Sequence, residues 1–138
     1  MVPRWYWVVA GIALLWTLAG CASYLVHVTM TPADIAALPA EQRDLMAAQP
    51  AWVIAAFAVA VWGALAGAIG LLLRRRWARP MFAASLVGIV LQFGWTFLAS
   101  DFVARAGASV TLFPAFIFVA GAAMLWFAGH AAGRGWLR

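Results

Sequence analysis

"AIGLLLRRRWARPMFAASL", residues 68–86, contains the end of one long apolar run, a short basic turn and the start of a second apolar run. The first run begins at Ala51, and the second continues to Ala99. Each run is long enough for a helix that crosses a membrane, which needs roughly 20 mostly apolar residues. This stretch therefore predicts two membrane helices joined by an arginine-rich turn.

Hydrophobic segments of similar length lie on both sides of this predicted hairpin. In all, the sequence predicts four spanning helices, at Trp5–Val28, Ala51–Leu73, Trp77–Ala99 and Ser109–Gly129. Of the 138 residues, 67% are hydrophobic and 9% are charged, which is more apolar surface than a soluble domain of this size can bury. We therefore expect an all-α fold: an integral membrane four-helix bundle, with residues 1–138 as a single transmembrane domain.

The charged residues predict the orientation of the bundle. All nine basic residues are arginines, and seven fall on the side of the basic turn and the termini. The seven are Arg4, Arg74, Arg75, Arg76, Arg79, Arg134 and Arg138. The other side carries Arg43 and Arg105 with all four acids, Asp34, Glu41, Asp44 and Asp101. The positive-inside rule then predicts that both termini lie in the cytoplasm.

The basic turn has a second expected role. Arginine near a membrane surface attracts anionic headgroups by about 1 kcal/mol per residue. We expect Arg74, Arg75, Arg76 and Arg79 to set the orientation and to contact lipids. The formal charge of +5 does not indicate nucleic-acid binding, because the arginines lie at membrane boundaries rather than on one basic face.

The long connection between the first two predicted helices, residues 29–50, has signals for short helices. Thr31 can cap a helix that begins at Pro32, with Asp34 in its first turn. Pro39 can begin a second short helix. We predict a short helical periplasmic loop on the outer surface, which is either a plain connector or a lid over an outer cavity.

The first apolar run contains "LAGC", residues 18–21, which fits the signal for bacterial lipoprotein processing. The apolar run continues past Cys21 to Val28, whereas the hydrophobic part of a signal peptide is about 7–15 residues and gives way to polar sequence. We therefore expect an uncleaved membrane helix in which Cys21 is a small packing residue.

Reactive side chains are few and far apart. The two histidines, His27 and His130, are predicted about a bilayer thickness apart, ~30 Å, and cannot share a metal ion. No carboxylate falls inside a predicted span, and nucleophile and phosphate-loop motifs are absent from the sequence. We expect no enzyme activity, no metal and no cofactor. One alternative stays open, in which a single histidine is the axial ligand of a pigment or haem.

Two stripes of polar residues lie on helical faces. Gln92 is the one strongly polar amide deep in a predicted span, and in hydrocarbon it needs a partner. If the stripes of the first and third helices face each other, they line a polar pocket open to the outside. The candidate residues are Thr17, Tyr24, His27, Gln92 and Thr96. The alternative is simple hydrogen bonding between helices, at ~0.6–2 kcal/mol per contact.

Small residues on the second predicted helix indicate close helix packing. Gly63 and Gly67 form a GxxxG motif, and Gly70 follows one turn later. Such a surface lets another helix approach closely. The partner is either a helix of the same bundle or another subunit.

Several segments carry a resemblance to known sequences. They are "ALLWTLAG" (13–20), "MTPADIAALPAEQRDLMAAQPAW" (30–52), "AFAVAVWGALAG" (56–67) and "LLLRRRWARPMFAASLVGI" (71–89). On these segments the chain resembles a group of small four-helix bacterial inner-membrane proteins, some of them loosely labelled sugar transporters. The resemblance implies a multi-pass protein of the bacterial inner membrane.

These observations favour a non-catalytic role. We expect an accessory or assembly subunit that packs within a larger membrane complex. Its expected partners are membrane lipids and either other membrane subunits or further copies of the chain. One alternative is a small-solute transporter or channel that acts as a homo-oligomer through the face of Gln92. The other is the pigment or haem binder with a single histidine ligand.

Overall fold

The computed structural model describes residues 2–99, 107 and 111–137, and the secondary structure in these ranges is helical without strands. The helices are α1 (Arg4–Val28), α2 (Pro32–Ala36), α3 (Ala40–Ala48), α4 (Ala51–Leu72), α5 (Ala78–Gly94) and α6 (Leu112–Gly133). A π-helical turn, Trp95–Ala99, continues α5. The helices α1, α4, α5 with its continuation, and α6 are long and apolar enough to cross a membrane. Over these described ranges the fold is therefore all-α, with four candidate membrane spans.

The last helix lies further along the chain than the sequence predicts. It begins at Leu112 and ends at Gly133, so His130 lies inside the helix rather than beyond its end. The apolar run predicts only the hydrophobic part of a helix, whereas the helix itself ends where Gly135 turns the backbone to a φ of 76°. Asp101 and Arg105, which were assigned to the preceding loop, lie outside the described residues.

The helix α4 is the most buried of the four and packs against both α1 and α5, while α5 packs against α6. Glycine allows the close approach of α4 and α5. A Cβ on Gly88 would come within 2.6 Å of the Ala56 carbonyl oxygen, and one on Gly67 within 2.8 Å of the Phe82 ring. Ser85 joins the same two helices, because its Oγ donates to the Ala60 carbonyl at 2.5 Å.

The three glycines of the predicted packing motif all face α5. A Cβ on Gly63 would lie 3.3 Å from the Met81 carbonyl oxygen, and one on Gly70 would lie 2.8 Å from the Ala78 Cβ. Gly67 meets the Phe82 ring of the same helix. The GxxxG surface is therefore occupied within the chain.

One end of the bundle, here called the arginine end, brings together the start of α1, the loop 73–77 and the segment 134–137 that follows α6. Tyr6 is fully buried there, and its hydroxyl donates to the Leu71 carbonyl oxygen. The Tyr6 ring lies 5.6 Å from the Phe127 ring and 5.9 Å from the Trp136 ring. Aromatic packing thus closes this end of the bundle.

Both chain reversals at the arginine end use the same helix-ending geometry. After α4, Arg75 N–H donates to the Gly70 carbonyl at 2.8 Å while Arg74 has a φ of 55°. After α6, Trp136 N–H donates to the Ala131 carbonyl at 2.9 Å, and Gly135 has the positive φ. These are Schellman motifs, in which glycine is the usual residue at the left-handed position. Arg74 is therefore an unusual occupant.

Side chains of the basic loop bind the segment after α6. Arg74 Nε donates to the Trp136 carbonyl at 2.9 Å, and Arg76 Nε donates to the Leu137 carbonyl at 3.4 Å. Leu137 is buried, with 2% of its surface exposed. The sequence predicts a role for these two arginines in orientation and lipid contact, and the structure adds that both donate to carbonyls outside any helix.

The loop between α1 and α4 contains the predicted helix cap. Thr31 Oγ1 accepts from Asp34 N–H at 3.2 Å, and Asp34 Oδ2 accepts from Thr31 N–H at 3.0 Å. This pair is a capping box. The hydrogen bonds from Thr31 lower the pKa of Asp34, because they favour the ionised carboxylate.

Candidate functional site

A cavity of about 300 Å³ lies between α1, α4, α5 and α6. Its walls are mostly aliphatic and aromatic. They include Trp16, Gly20, Phe57, Val61, Ile89, Phe93, Phe113 and Ile117. Ligand sites of proteins begin at about this volume and have the same combination of apolar walls and few polar groups.

Small residues account for the space. Ala19 and Gly20 of α1, together with Ala60 and Ala64 of α4, face the cavity and extend little into it. Larger side chains border it, as where the Trp16 ring meets the Phe116 ring at 5.4 Å. The space is partly open to the surroundings of the bundle, and these small side chains leave it unfilled.

Two of the polar side chains in the cavity wall are already bound to backbone. Thr17 Oγ1 donates to the Leu14 carbonyl of its own helix at 3.0 Å. Ser85 Oγ donates to the Ala60 carbonyl across the α4–α5 contact. Both hydroxyl hydrogens therefore already have acceptors, Thr17 within α1 and Ser85 between α5 and α4.

Gln92 differs from these residues. Its half-buried side chain lines the cavity, and its amide forms no hydrogen bond with any residue that the structure describes. An amide transferred from water to an apolar environment without a partner costs roughly 1–3 kcal/mol by mutational measures. The amide therefore offers two donors and an acceptor to an occupant of the cavity.

The backbone next to Gln92 is also irregular. The π-helical turn begins at Trp95, and Thr96 Oγ1 donates to the Gln92 carbonyl at 3.1 Å. Single π-helical turns inside α-helices occur frequently at functional sites. No sequence pattern predicted this turn, because it depends on how the end of α5 packs.

The structure brings only some residues of the predicted outer pocket into the cavity. Thr17 and Gln92 line the cavity, whereas Tyr24, His27 and Thr96 do not. The Tyr24 ring instead meets the Phe57 ring at 5.3 Å, and His27 Nε2 forms a hydrogen bond with Gln49 Oε1 at 3.1 Å. The predicted pocket depended on the stripes of the first and third helices facing each other, whereas α1 packs mainly on α4.

Sequence reasoning missed Ser23 and the aromatic part of the site. Ser23 lines the cavity one turn from Gly20, and its spacing from Gly20 was a usable signal. Phe113 and Pro114 of α6 also line it. Nothing in the sequence pairs the start of α6 with the middle of α1, because that contact depends on the helix arrangement.

The histidines lie in different surroundings. His130 stacks on Trp126, with ring centres 5.2 Å apart and planes 14° apart, and meets the Trp136 ring edge-on. His27 meets the Phe57 ring in addition to Gln49. Within the described ranges, no three His, Cys, Asp or Glu side chains cluster as metal ligands.

Comparison with known proteins adds no assignment to this geometry. No protein-family model, no curated protein and no solved structure matches the chain. The similarity to small four-helix bacterial inner-membrane proteins therefore stays a prediction, and the candidate site rests on its own residues.

Proposed function

We propose that the chain is a non-catalytic integral membrane protein that holds a hydrophobic molecule between α1, α4, α5 and α6. The single observation that carries this proposal is the Gln92 amide, which lines a mostly apolar cavity and has no hydrogen-bond partner among the residues that the structure describes. The fitting ligand is an acyl or isoprenoid chain with one oxygen that can bond to the amide. The apolar walls favour such an occupant over the hydrated path of a small-solute channel.

The test uses two photoreactive probes, diazirine-bearing hexadecanol and diazirine-bearing hexadecane, added to the purified protein in mild detergent. Both probes should crosslink to the cavity walls, with the alcohol labelling more strongly because its hydroxyl reaches Gln92. Gln92→Leu should remove most of this preference. Loss of one hydrogen bond of ~1 kcal/mol corresponds to about five-fold weaker binding of the alcohol.

Gln49→Leu is the matched control, because it removes an amide that does not line the cavity. It should keep the preference for the alcohol. Crosslinks outside the cavity walls, or an equal effect of both substitutions, would overturn the proposal.

We also propose that the protein resides in the bacterial inner membrane, with both termini and the arginine end in the cytoplasm. The unequal distribution of arginine along the sequence supports this orientation. The loop that contains α2 and α3 then faces the periplasm.

A role as an accessory subunit is the second candidate, and the exposure of α6 favours it. This helix is the least buried of the four spans, and Phe113 and Phe116 at its start are 66% and 57% exposed. Gentle solubilisation from native membranes, followed by mass measurement, tests this role. A particle that contains other chains supports the role, whereas a monomer or homo-oligomer rejects it.

A further inference from the structure

A second concave surface lies at the arginine end, between the start of α5 and the end of α6. Its α5 side consists of Arg79, Pro80 and Ala83, and its α6 side consists of Leu125, Trp126, Gly129 and His130. The groove shares no residue with the cavity beside Gln92. It combines one cation, one imidazole and a wall of apolar side chains.

Arg79 is the basic residue that this groove presents. Its guanidinium lies over Gly129, where a Cβ would be 3.7 Å from Nε and 4.0 Å from Cζ. Arg79 is exposed, and its side chain has no hydrogen bond or ion pair with any residue in the described ranges. Arg74 and Arg76 differ, because both donate to backbone carbonyls. The Arg79 side chain can therefore bind an external anion.

The α6 wall places a second donor beside this cation. His130 follows Gly129, and its ring is held against the Trp126 ring in a stacked arrangement. An imidazole carries at least one N–H donor in each protonation state. Stacking on Trp126 orients the plane of the ring, and the ring edge carries this donor.

The position of the groove identifies the source of the anion. Arg79 lies in the first turn of a candidate span, and His130 lies in the last turn of another. Pro80, Ala83 and Leu125 continue the groove with apolar atoms. A headgroup phosphate and the start of its acyl chain match this sequence of polar and apolar groups, and basic grooves between membrane helices are known lipid headgroup sites.

We propose that this groove binds an anionic phospholipid. Arg79 and His130 donate to the phosphate, and the apolar wall contacts the chain. A soluble phosphate would meet the same two donors but would leave the apolar wall uncovered. The lipid is therefore the ligand to which the proposal commits.

The experiment counts bound lipids by native mass spectrometry of the purified protein in detergent. The probes are phosphatidylglycerol and phosphatidylcholine, which differ in net charge. Wild-type protein should bind phosphatidylglycerol more tightly. Arg79→Gln should weaken that binding about five-fold, as expected for one arginine contact with an anionic headgroup. His130→Leu should weaken it too.

Arg43→Gln is the matched control, since it removes an equal charge from an exposed arginine that lies in the loop between α1 and α4, outside the groove. It should change the affinity less than two-fold. Equal losses for Arg43→Gln and Arg79→Gln would overturn the proposal, as would equal binding of the two lipids by wild-type protein. If millimolar glycerol phosphate competes as strongly as the lipid does, the groove binds free phosphate. That outcome also contradicts the proposal. The lipid comparison on wild-type protein needs no variant to fold.

Discussion

Gly88 shows how one missing side chain sets the distance between two helices. The hydrogen-only side chain lets α5 lie against the backbone of α4 at Ala56 and Ala60. Backbone atoms cannot swing aside as the end of a flexible side chain can, so the contact does not tolerate a methyl group. Gly11 of α1 has no such neighbour, because nothing lies within 4 Å of its Cβ position.

We predict that Gly88→Ala lowers the free energy of unfolding by about 3 kcal/mol, because a rigid core gains an atom for which it has no space. Gly11→Ala should leave stability unchanged or raise it by up to ~1 kcal/mol, since alanine favours helix more than glycine does. Thermal and SDS-titration unfolding of the purified variants compares the two. Equal stability of both variants would show that α4 and α5 are not in close contact.

At the scale of helices, the sequence predicts which helices form but not which helices contact each other. The apolar runs were sufficient to predict α1, α4, α5 and α6 as helices, because the length and composition of each run alone indicate a membrane-spanning helix. The capping residues of α2 were also readable, since Thr31 and Asp34 act within one turn.

The candidate site was only partly predictable for the same reason. Gln92 was recognisable alone, as a polar amide in an apolar run, whereas its distance from Tyr24 and His27 depends on how α1 rotates against α4. The hydrogen bonds of Arg74 and Arg76 join residues 62 and 61 positions apart. A local pattern contains no information about contacts at that separation.

Arg74 provides a prediction about how a helix ends. Its positive φ is unfavourable for residues with a Cβ by roughly 1–2 kcal/mol, and its side chain bonds to the Trp136 carbonyl in compensation. Arg74→Ala and Arg74→Gly both lose this hydrogen bond, but only the alanine variant keeps the strain of the left-handed backbone. The free energy of unfolding of Arg74→Ala should therefore be about 1 kcal/mol lower than that of Arg74→Gly. Unfolding of both variants in detergent measures the difference. Equal stability would contradict the left-handed backbone at this position.

On the scale of the whole molecule, the arginine end and the cavity differ in construction. The arginine end is closed by Tyr6, Phe127, Trp136 and the bonds of the basic loop. The cavity lies away from this end, among residues whose small side chains leave space. A molecule held beside Gln92 is therefore separated from the arginine end by a packed core.

The proposed orientation can be tested with the chain's own cysteine as the background. Cys21 is 4% exposed, so it should react little with a membrane-impermeant maleimide. In intact cells we expect Arg43→Cys to be labelled and Arg134→Cys to be labelled only after permeabilisation. The reverse pattern would place the arginine end outside the cytoplasm.

The long separation between the basic loop and its backbone partners has a consequence for the order of synthesis. The hairpin of α4 and α5 can assemble as soon as both helices leave the ribosome, because its glycine contacts are complete within residues 51–94. The carbonyls that accept hydrogen bonds from Arg74 and Arg76 belong to residues translated after α6. During insertion, these guanidinium groups are thus still available to lipid headgroups, and they acquire their backbone partners only after α6 has been made.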